Sequence, residues 1–431
     1  MDDSSPPPLS FLSPLFSRPR KIKKIKKQGA DFIECDAVFT SDCALVCRHD
    51  ADLSRSTDAA SKFGASRTRT REIDGVTFRD GVFAADLSLA EVRTLRARQA
   101  KAGSLGRSRE WDGLFPVATL DEFAEFAASV PRDGGGRRWN ETSPSSPPLP
   151  RRVVGVHVEA KHPLWHSVTL PHCAADPAAM VEAVAAVLQR HGFASHLEKK
   201  SDFRADPRWL RAPTFLQCFE PGALAEAHRR RGRGLKKGGG VAEGVPLVQL
   251  VDGGEVAVPG GAAWWSSSSS SGSGSGGDKG GAAKNLTFAD LLTDAGLERV
   301  AGYAHAIGPS VAQVLDFPQG GAGGGRGRGI DEGDEGDKGV AAFSSLAPRA
   351  ARQGLAVHAY TLRDDSINLD RFKRIRSGAL REAEALFSGA RVEGAFGDFP
   401  STASSAAREE RERRRREERG SSSFAEPVPS S

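Results

Sequence analysis

The chain has 431 residues, with 60 Lys plus Arg against 55 Asp plus Glu and a formal charge of +5. The basic excess sits in three runs (18–27, 229–237 and 408–419), so the remainder is acidic; this excludes a domain built around a nucleic-acid groove, although basic tails offer contact to acidic surfaces. No run approaches the ~18 apolar residues of a bilayer helix, and five scattered cysteines without a C-x-x-C pair exclude a disulfide-dense scaffold and favour a reducing compartment.

Residues 1–28 read as a basic, disordered segment. Asp2 and Asp3 stand where a secretory signal is basic, and the short apolar stretch after them is broken by Pro14, so no secretory signal is expected and a cytoplasmic or organellar location is favoured. Apolar strand patterns follow at 30–39, 153–159, 214–219, 246–251, 303–307, 355–361 and 392–396. Amphipathic helix patterns lie between them at 120–129, 178–191, 222–231 and 341–352. Alternating strands and helices imply an α/β fold with a parallel sheet, here a (β/α)₈ barrel with seven recognisable strands, incomplete at its start. The stretches 134–150, 266–281 and 319–339 are low-complexity insertions, and 401–431 reads as a disordered Arg/Glu/Ser-rich tail.

Chemistry concentrates at strand ends. Glu34 and Asp36 are two residues apart, so in a strand they share a face, while Cys35 points toward the helices. Two carboxylates aimed together are either solvated acids or hard ligands for Mg²⁺ or Ca²⁺. A turn near Asp42 leads into a short returning strand at 45–47, followed by Arg48-His49-Asp50. Glu159 and Lys161 repeat the two-residue spacing on the next strand, either as an ion pair or as a carboxylate ligand beside a phosphate-binding ammonium. His358 and Tyr360 share one late strand face, and Gln217 and Phe219 share another. His157, His162, His166 and His172 form a loose cluster that reads as structural or exposed rather than as a zinc site, since only His157 shares a face with Glu159.

Taken together, G-A-D-F-I-E-C-D (29–36), L-V-C-R-H-D (45–50), L-S-R-S-T-D (53–58), T-L-D-E-F (119–123), V-E-A-K-H-P (158–163), F-L-Q-C-F-E-P (215–221), P-L-V-Q-L-V-D (246–252), I-G-P-S (307–310), V-H-A-Y-T-L-R (357–363) and G-D-F-P (397–400) resemble the glycerophosphodiester phosphodiesterase family. The resemblance implies a (β/α)₈ barrel that hydrolyses glycerophosphodiesters to sn-glycerol 3-phosphate and an alcohol, in lipid and glycerol metabolism. By matching position, it implies that Glu34, Asp36 and Glu159 hold one divalent cation, Mg²⁺ or Ca²⁺. Lys161 then contacts phosphate, and His49 is one of two acid/base histidines; Tyr360 and Phe219, each on an inward strand face, either line the substrate pocket or fill the core. The insertion at 51–115 corresponds to a lid over the glycerol end.

The family's opening strand, ending in His-Arg-Gly, has no counterpart upstream of Gly29. The expectation is therefore a barrel with two unpaired edges and a chain of weak activity, or a non-catalytic metal- and phosphate-binding relative. A related lipid phosphodiesterase is the neighbouring alternative. Cys43 stands at a turn-glycine position, and Gly397 replaces the usual Thr before Asp398.

Overall fold

A computed structural model describes residues 29–100, 107–131, 153–193, 214–231, 245–261, 264–265, 286–316, 342–363 and 378–422. The N-terminal segment and the three low-complexity insertions expected from composition lie outside these residues. Strands β1 (Phe32–Phe39), β2 (Leu45–Cys47), β3 (Arg69–Ile73), β4 (Val76–Gly81), β5 (Gly155–Ala160), β6 (Thr214–Cys218), β7 (Leu247–Leu250), β8 (Ala306–Gly308), β9 (Leu315–Asp316), β10 (Ala342–Phe343), β11 (Ala356–Leu362) and β12 (Gly394–Gly397) follow in chain order. The main sheet has the order β12-β11-β8-β7-β6-β5-β1-β2. Its seven long-range strands are parallel, and only β2 returns antiparallel. These seven match the seven strand patterns in the sequence.

The sheet curls on itself. His157 of β5 lies 4.7 Å from the ring centroid of Phe396 on β12, although four strands separate β5 from β12 in the sheet order. Phe32, Phe215, Val248, Ala306 and Ala356 fill the same interior. The fold is thus an α/β barrel, open between β12 and β1.

Helices of seven residues or more are α1 (Leu120–Ser129), α2 (Pro163–Thr169), α3 (Pro177–Arg190), α4 (Pro221–Arg231), α5 (Asp294–Ala301), α6 (Leu346–Arg352), α7 (Gly378–Glu384) and α8 (Pro400–Ser422). Helix α1 starts at a capping box in which Thr119 and Glu122 satisfy each other's backbone N–H groups, and it buries Leu120, Phe123, Ala124, Phe126 and Ala127. Helix α3 is capped by Asp176, with Pro177 at its first position. The outward strand residues Ile33, Cys35, Ala37, Val156, Val158 and Leu216 share one apolar core with these helices.

Three findings depart from the sequence expectations. Residues 400–422, expected to be disordered, form α8. Composition alone marks such a run as solvated, but Ala406 is buried and buried Glu410 accepts a hydrogen bond from Ser388 Oγ at 2.8 Å. Helix α8 also packs against β12. There Ser404 Oγ donates to Gly29 O at 2.9 Å, and Arg411 lies 3.8 Å from Asp31, so α8 spans the opening between β12 and β1. The cysteines are the second departure: Cys35 is bonded to Cys47 and Cys43 to Cys173, leaving Cys218 free. The antiparallel register Ala37↔Cys47 sets Cys47 diagonal to Cys35 on one face, a proximity that sequence spacing does not display. Cys43 takes φ 64°, the left-handed geometry expected of the turn glycine it replaces. Third, the insertion carries its own core of Leu53, Ile73, Val82, Phe83, Leu87, Val92 and Leu95, built onto Val38 and Val46.

Candidate functional site

Parallel pairing of β1 with β5 sets Glu34 beside His157 and Asp36 beside Glu159. Because alternate residues face inward, these four side chains stack as two layers inside the curl. The upper layer lies at the carboxyl ends of the strands, where sites of α/β barrels form. Lys161, one residue beyond β5, reaches back with Nζ 3.0 Å from Glu159 Oε1 and 3.4 Å from Asp36 Oδ1. Asp36, Glu159 and Lys161 are all buried.

The electrostatics follow from three acids and one ammonium in a small, dry volume. Burial, then repulsion from Asp36 and Glu159, holds Glu34 well above the ordinary carboxylate range. Burial likewise pushes Glu159 up to about 8, against the pull of Lys161. Asp36 goes the other way: burial opposes its charge, but Lys161 and His49 outweigh it and hold the carboxyl down. Lys161 is raised, because Asp36 and Glu159 overcome the cost of its own burial. The cluster is short of positive charge, and its donors are hard oxygens. That donor set fits a divalent cation of the Mg²⁺ or Ca²⁺ kind.

His49 sits just past β2, where Arg48 N donates to Asp36 O at 2.9 Å. Its side chain is 64% exposed, and Nδ1 meets Asp50 Oδ1 at 2.8 Å. Burial alone would raise Asp50, yet its hydrogen bond to His49 and the charge of that ring lower it. Asp50 therefore orients an accessible imidazole whose charge also acts on Asp36.

The aromatic residues expected at the pocket converge on the same rim. Lys161 Nζ stands 5.7 Å from the ring of Phe219, and Tyr360 meets Phe219 edge-on at 6.2 Å. Tyr360 Oη donates to Val251 O at 2.7 Å, which fixes the ring across the mouth.

The remaining histidines separate as the sequence reading expected. His157 Nε2 and His358 Nδ1 are 3.3 Å apart below Asp36 and Glu159, among Phe215 and Phe396, and burial drives both pKa values down, that of His358 to about 4. His166 is fully buried between Phe39 and Trp165. His172 lies near Cys43 and Cys173, but the disulfide engages both sulfurs, so this trio offers no thiolate for a metal.

Several rim contacts escaped the sequence reading. His162, in a left-handed conformation at the start of α2, bonds through Nδ1 to Asp74 Oδ2 at 2.5 Å. Asp74 is at the tip of the β3–β4 hairpin, whose Asp74-Gly75 turn has φ 51° and 79°; the D-G dipeptide was the available hairpin signal. Buried Glu220 accepts from Leu164 N at 2.9 and 3.1 Å, and burial followed by the charge of Asp74 raises it. Asp398, directly after β12, pairs with Arg107 of the insertion and with Arg363 after β11. No local signal links residues so far apart in sequence.

Residues 20–136 match the model of the glycerophosphoryl diester phosphodiesterase family. The chain is 30% identical over 199 residues to glycerophosphodiester phosphodiesterase GDPD6 of Arabidopsis thaliana, a match covering 46% of this chain and 45% of that protein. The chain thus spans about half the length of that relative. Among solved structures it is similar to a glycerophosphodiester phosphodiesterase from Agrobacterium tumefaciens, at 14% identity with a TM-score of 0.41 over 89% of this chain and 90% of the other. It is also similar to a phosphodiesterase from Oleispira antarctica in complex with the product sn-glycerol-3-phosphate, at 14% identity and a TM-score of 0.42 over 90% and 89% of the two chains. The likeness read from the motifs therefore holds at the level of sequence: the chain is related to the glycerophosphodiester phosphodiesterases.

Proposed function

We propose that this chain hydrolyses glycerophosphodiesters to sn-glycerol 3-phosphate and an alcohol, with one divalent cation, Mg²⁺ or Ca²⁺, held by Glu34, Asp36 and Glu159. The observation that carries the reading is the group formed by Glu34, Asp36, Glu159 and Lys161 on β1 and β5, of which Asp36, Glu159 and Lys161 are buried and in contact. When bound, the cation would neutralise charge on the phosphoryl oxygens and lower the pKa of a bound water. Lys161 supplies a second, fixed positive charge toward the same oxygens. In hydrolysis the water oxygen bonds to phosphorus while the bond to the alcohol oxygen breaks, so one proton leaves the water and one reaches the alcohol. His49, oriented by Asp50 and open to solvent, suits one of those transfers. Phe219 and Tyr360 would enclose the carbon skeleton of the substrate beside Lys161.

The test is release of sn-glycerol 3-phosphate from glycerophosphocholine by the purified chain, with Mg²⁺ or Ca²⁺ and after chelation. Turnover is expected to need the cation and to fall about 10²-fold or more in Glu159→Gln and Lys161→Met. Turnover unaffected by chelation would sink the cation role, and full activity in both variants would sink the site. A non-catalytic phosphate binder is the second reading. It is favoured by the histidines: His162 is taken up by Asp74, and His157 and His358 lie below Asp36 and Glu159, so a second proton carrier beside His49 is not evident among the described residues. Saturable binding of sn-glycerol 3-phosphate without turnover would decide for it.

A further inference from the structure

The turn between β1 and β2 brings two cysteines and a histidine together at the surface. Cys43, at the tip of the turn, and His172, between α2 and α3, are exposed, and Cys173 is partly so. Their ligand atoms, two sulfurs and an imidazole nitrogen, all lie within 4.8 Å of one another. The sulfurs are bonded to each other, and in that state they offer no thiolate. Exposure sets this disulfide apart from Cys35–Cys47, whose two cysteines are buried. Accessible disulfides are the ones that exchange with thiols.

Each of the three residues is also held by bonds other than the disulfide. Cys43 N donates to Thr40 O at 3.1 Å, Ala44 N donates to Thr40 Oγ1 at 2.9 Å, and Asp42 anchors the turn by accepting from Leu89 N at 2.9 and 3.1 Å. Cys173 N donates to Leu170 O at 2.9 Å. His172 Nε2 lies 2.9 Å from Ser41 O. A carbonyl only accepts, so Nε2 carries the proton and Nδ1 keeps its lone pair. An imidazole that donates one N–H to a backbone carbonyl is oriented as metal-bound histidines are. The Cα atoms of Cys43 and Cys173 are 5.1 Å apart. With those backbones fixed, breaking the S–S bond leaves the sulfurs as neighbours. Side-chain rotation then opens the ~3.8 Å that two Zn–S bonds of ~2.3 Å span in a tetrahedral site.

We propose that Cys43, Cys173 and His172 form a redox-gated Zn²⁺ site, a disulfide when oxidised and a metal centre when reduced. In the switching step a dithiol is oxidised to its own disulfide, while the Cys43–Cys173 bond takes up two electrons and two protons to give two thiols. Zn²⁺ then displaces both thiol protons and is bound by two thiolates, the imidazole and, because the site is open, a water. Thiolate and imidazole donors select Zn²⁺ over Mg²⁺ and Ca²⁺, the reverse of the choice made by the carboxylates of β1 and β5. None of the three residues belongs to the hydrolase site proposed above, so the two readings stand or fall separately.

The full chain, reduced with a small dithiol and desalted without oxygen, is titrated with Co²⁺ and then with Zn²⁺. Co²⁺ reports the site because thiolate ligands give it a charge-transfer absorption that carboxylates do not. The reduced chain should develop that band, the oxidised chain should not, and Zn²⁺ should abolish it by replacement. Reduced Cys173→Ser and His172→Ala should each bind Zn²⁺ at least about a hundredfold more weakly, since loss of an outer partner of a metal ligand already costs ~10- to 100-fold. Reduced wild type also lacks the disulfide, so the comparison with Cys173→Ser does not measure a lost cross-link. His172→Ala, at an exposed position with both cysteines intact, decides the matter if Cys173→Ser does not fold. Cys218→Ser, at the free buried cysteine, serves as control and should bind as wild type. A reduced wild-type chain without the band, equal Zn²⁺ affinity in the oxidised and reduced chains, or unweakened binding in His172→Ala overturns the proposal.

Discussion

His166 illustrates how one buried side chain can set the pH response of the molecule. It is fully buried, its two ring nitrogens have no hydrogen-bond partner among the described residues, and burial lowers its pKa to about 3 from 6.5. On acidification the unfolded chain takes up a proton below pH 6.5 while the folded chain stays neutral. Stability is therefore complete above 6.5 and is lost as pH falls toward 3, with a slope of ~1.4 kcal/mol per pH unit from this group. His166→Phe keeps an aromatic ring against Phe39 and Trp165 and removes the unpaired nitrogens. It should flatten that slope and add ~1 kcal/mol at neutral pH; denaturant midpoints at several pH values would show this, and parallel pH curves for variant and wild type would refute it. At this same scale the shared faces were legible: the two-residue spacing in 34–36 and 159–161 announced them, because strand geometry has a period of two. Contacts between distant residues were not legible: Asp50 is the sequence neighbour of His49, whereas Arg107 and Asp398, which pair, lie 291 positions apart.

At the scale of elements, the interior of the barrel depends on close approach between β1 and β5. Gly155 faces Phe32 across that pair, and a Cβ there would lie 2.3 Å from Phe32 Cδ1. Gly155→Ala should therefore destabilise the fold by ~1–3 kcal/mol. Adding Phe32→Leu should return part of the loss, and equal midpoints for wild type and Gly155→Ala would remove this explanation. The strands and α1 stood out in the sequence because apolar periodicity and a Thr-x-x-Glu cap are local signals. The pairing of Cys35 with Cys47 was hidden, because it follows from register across a turn.

For the whole molecule, the question is how an open barrel protects its edges. Helix α8 spans the opening between β12 and β1 through Ser404, Ala406 and Arg411, and it is tied to the segment after α7 by Glu410. Removing residues 400–431 should expose both edges, lower stability by ~2–4 kcal/mol and promote self-association. Thermal melts with light scattering would report both, and a monomeric truncated chain with an unchanged midpoint would show that α8 covers nothing essential. The sequence expectation of unpaired edges anticipated the problem, while treating the tail as disordered missed the element that answers it.

By itself the sequence determined the α/β class, the seven strands and the shared faces of Glu34 with Asp36 and of Glu159 with Lys161, because each rests on periodicity or spacing within a few positions; the roles of these residues and of His49 rest on the family resemblance. Only the tertiary structure decided the two disulfides, the insertion's own core, the passage of α8 across the opening, and the meeting of Arg107, Arg363 and Asp398. Each of these joins residues that composition and local pattern treat as unrelated. They become neighbours only when the sheet curls and α8 meets the start of β1.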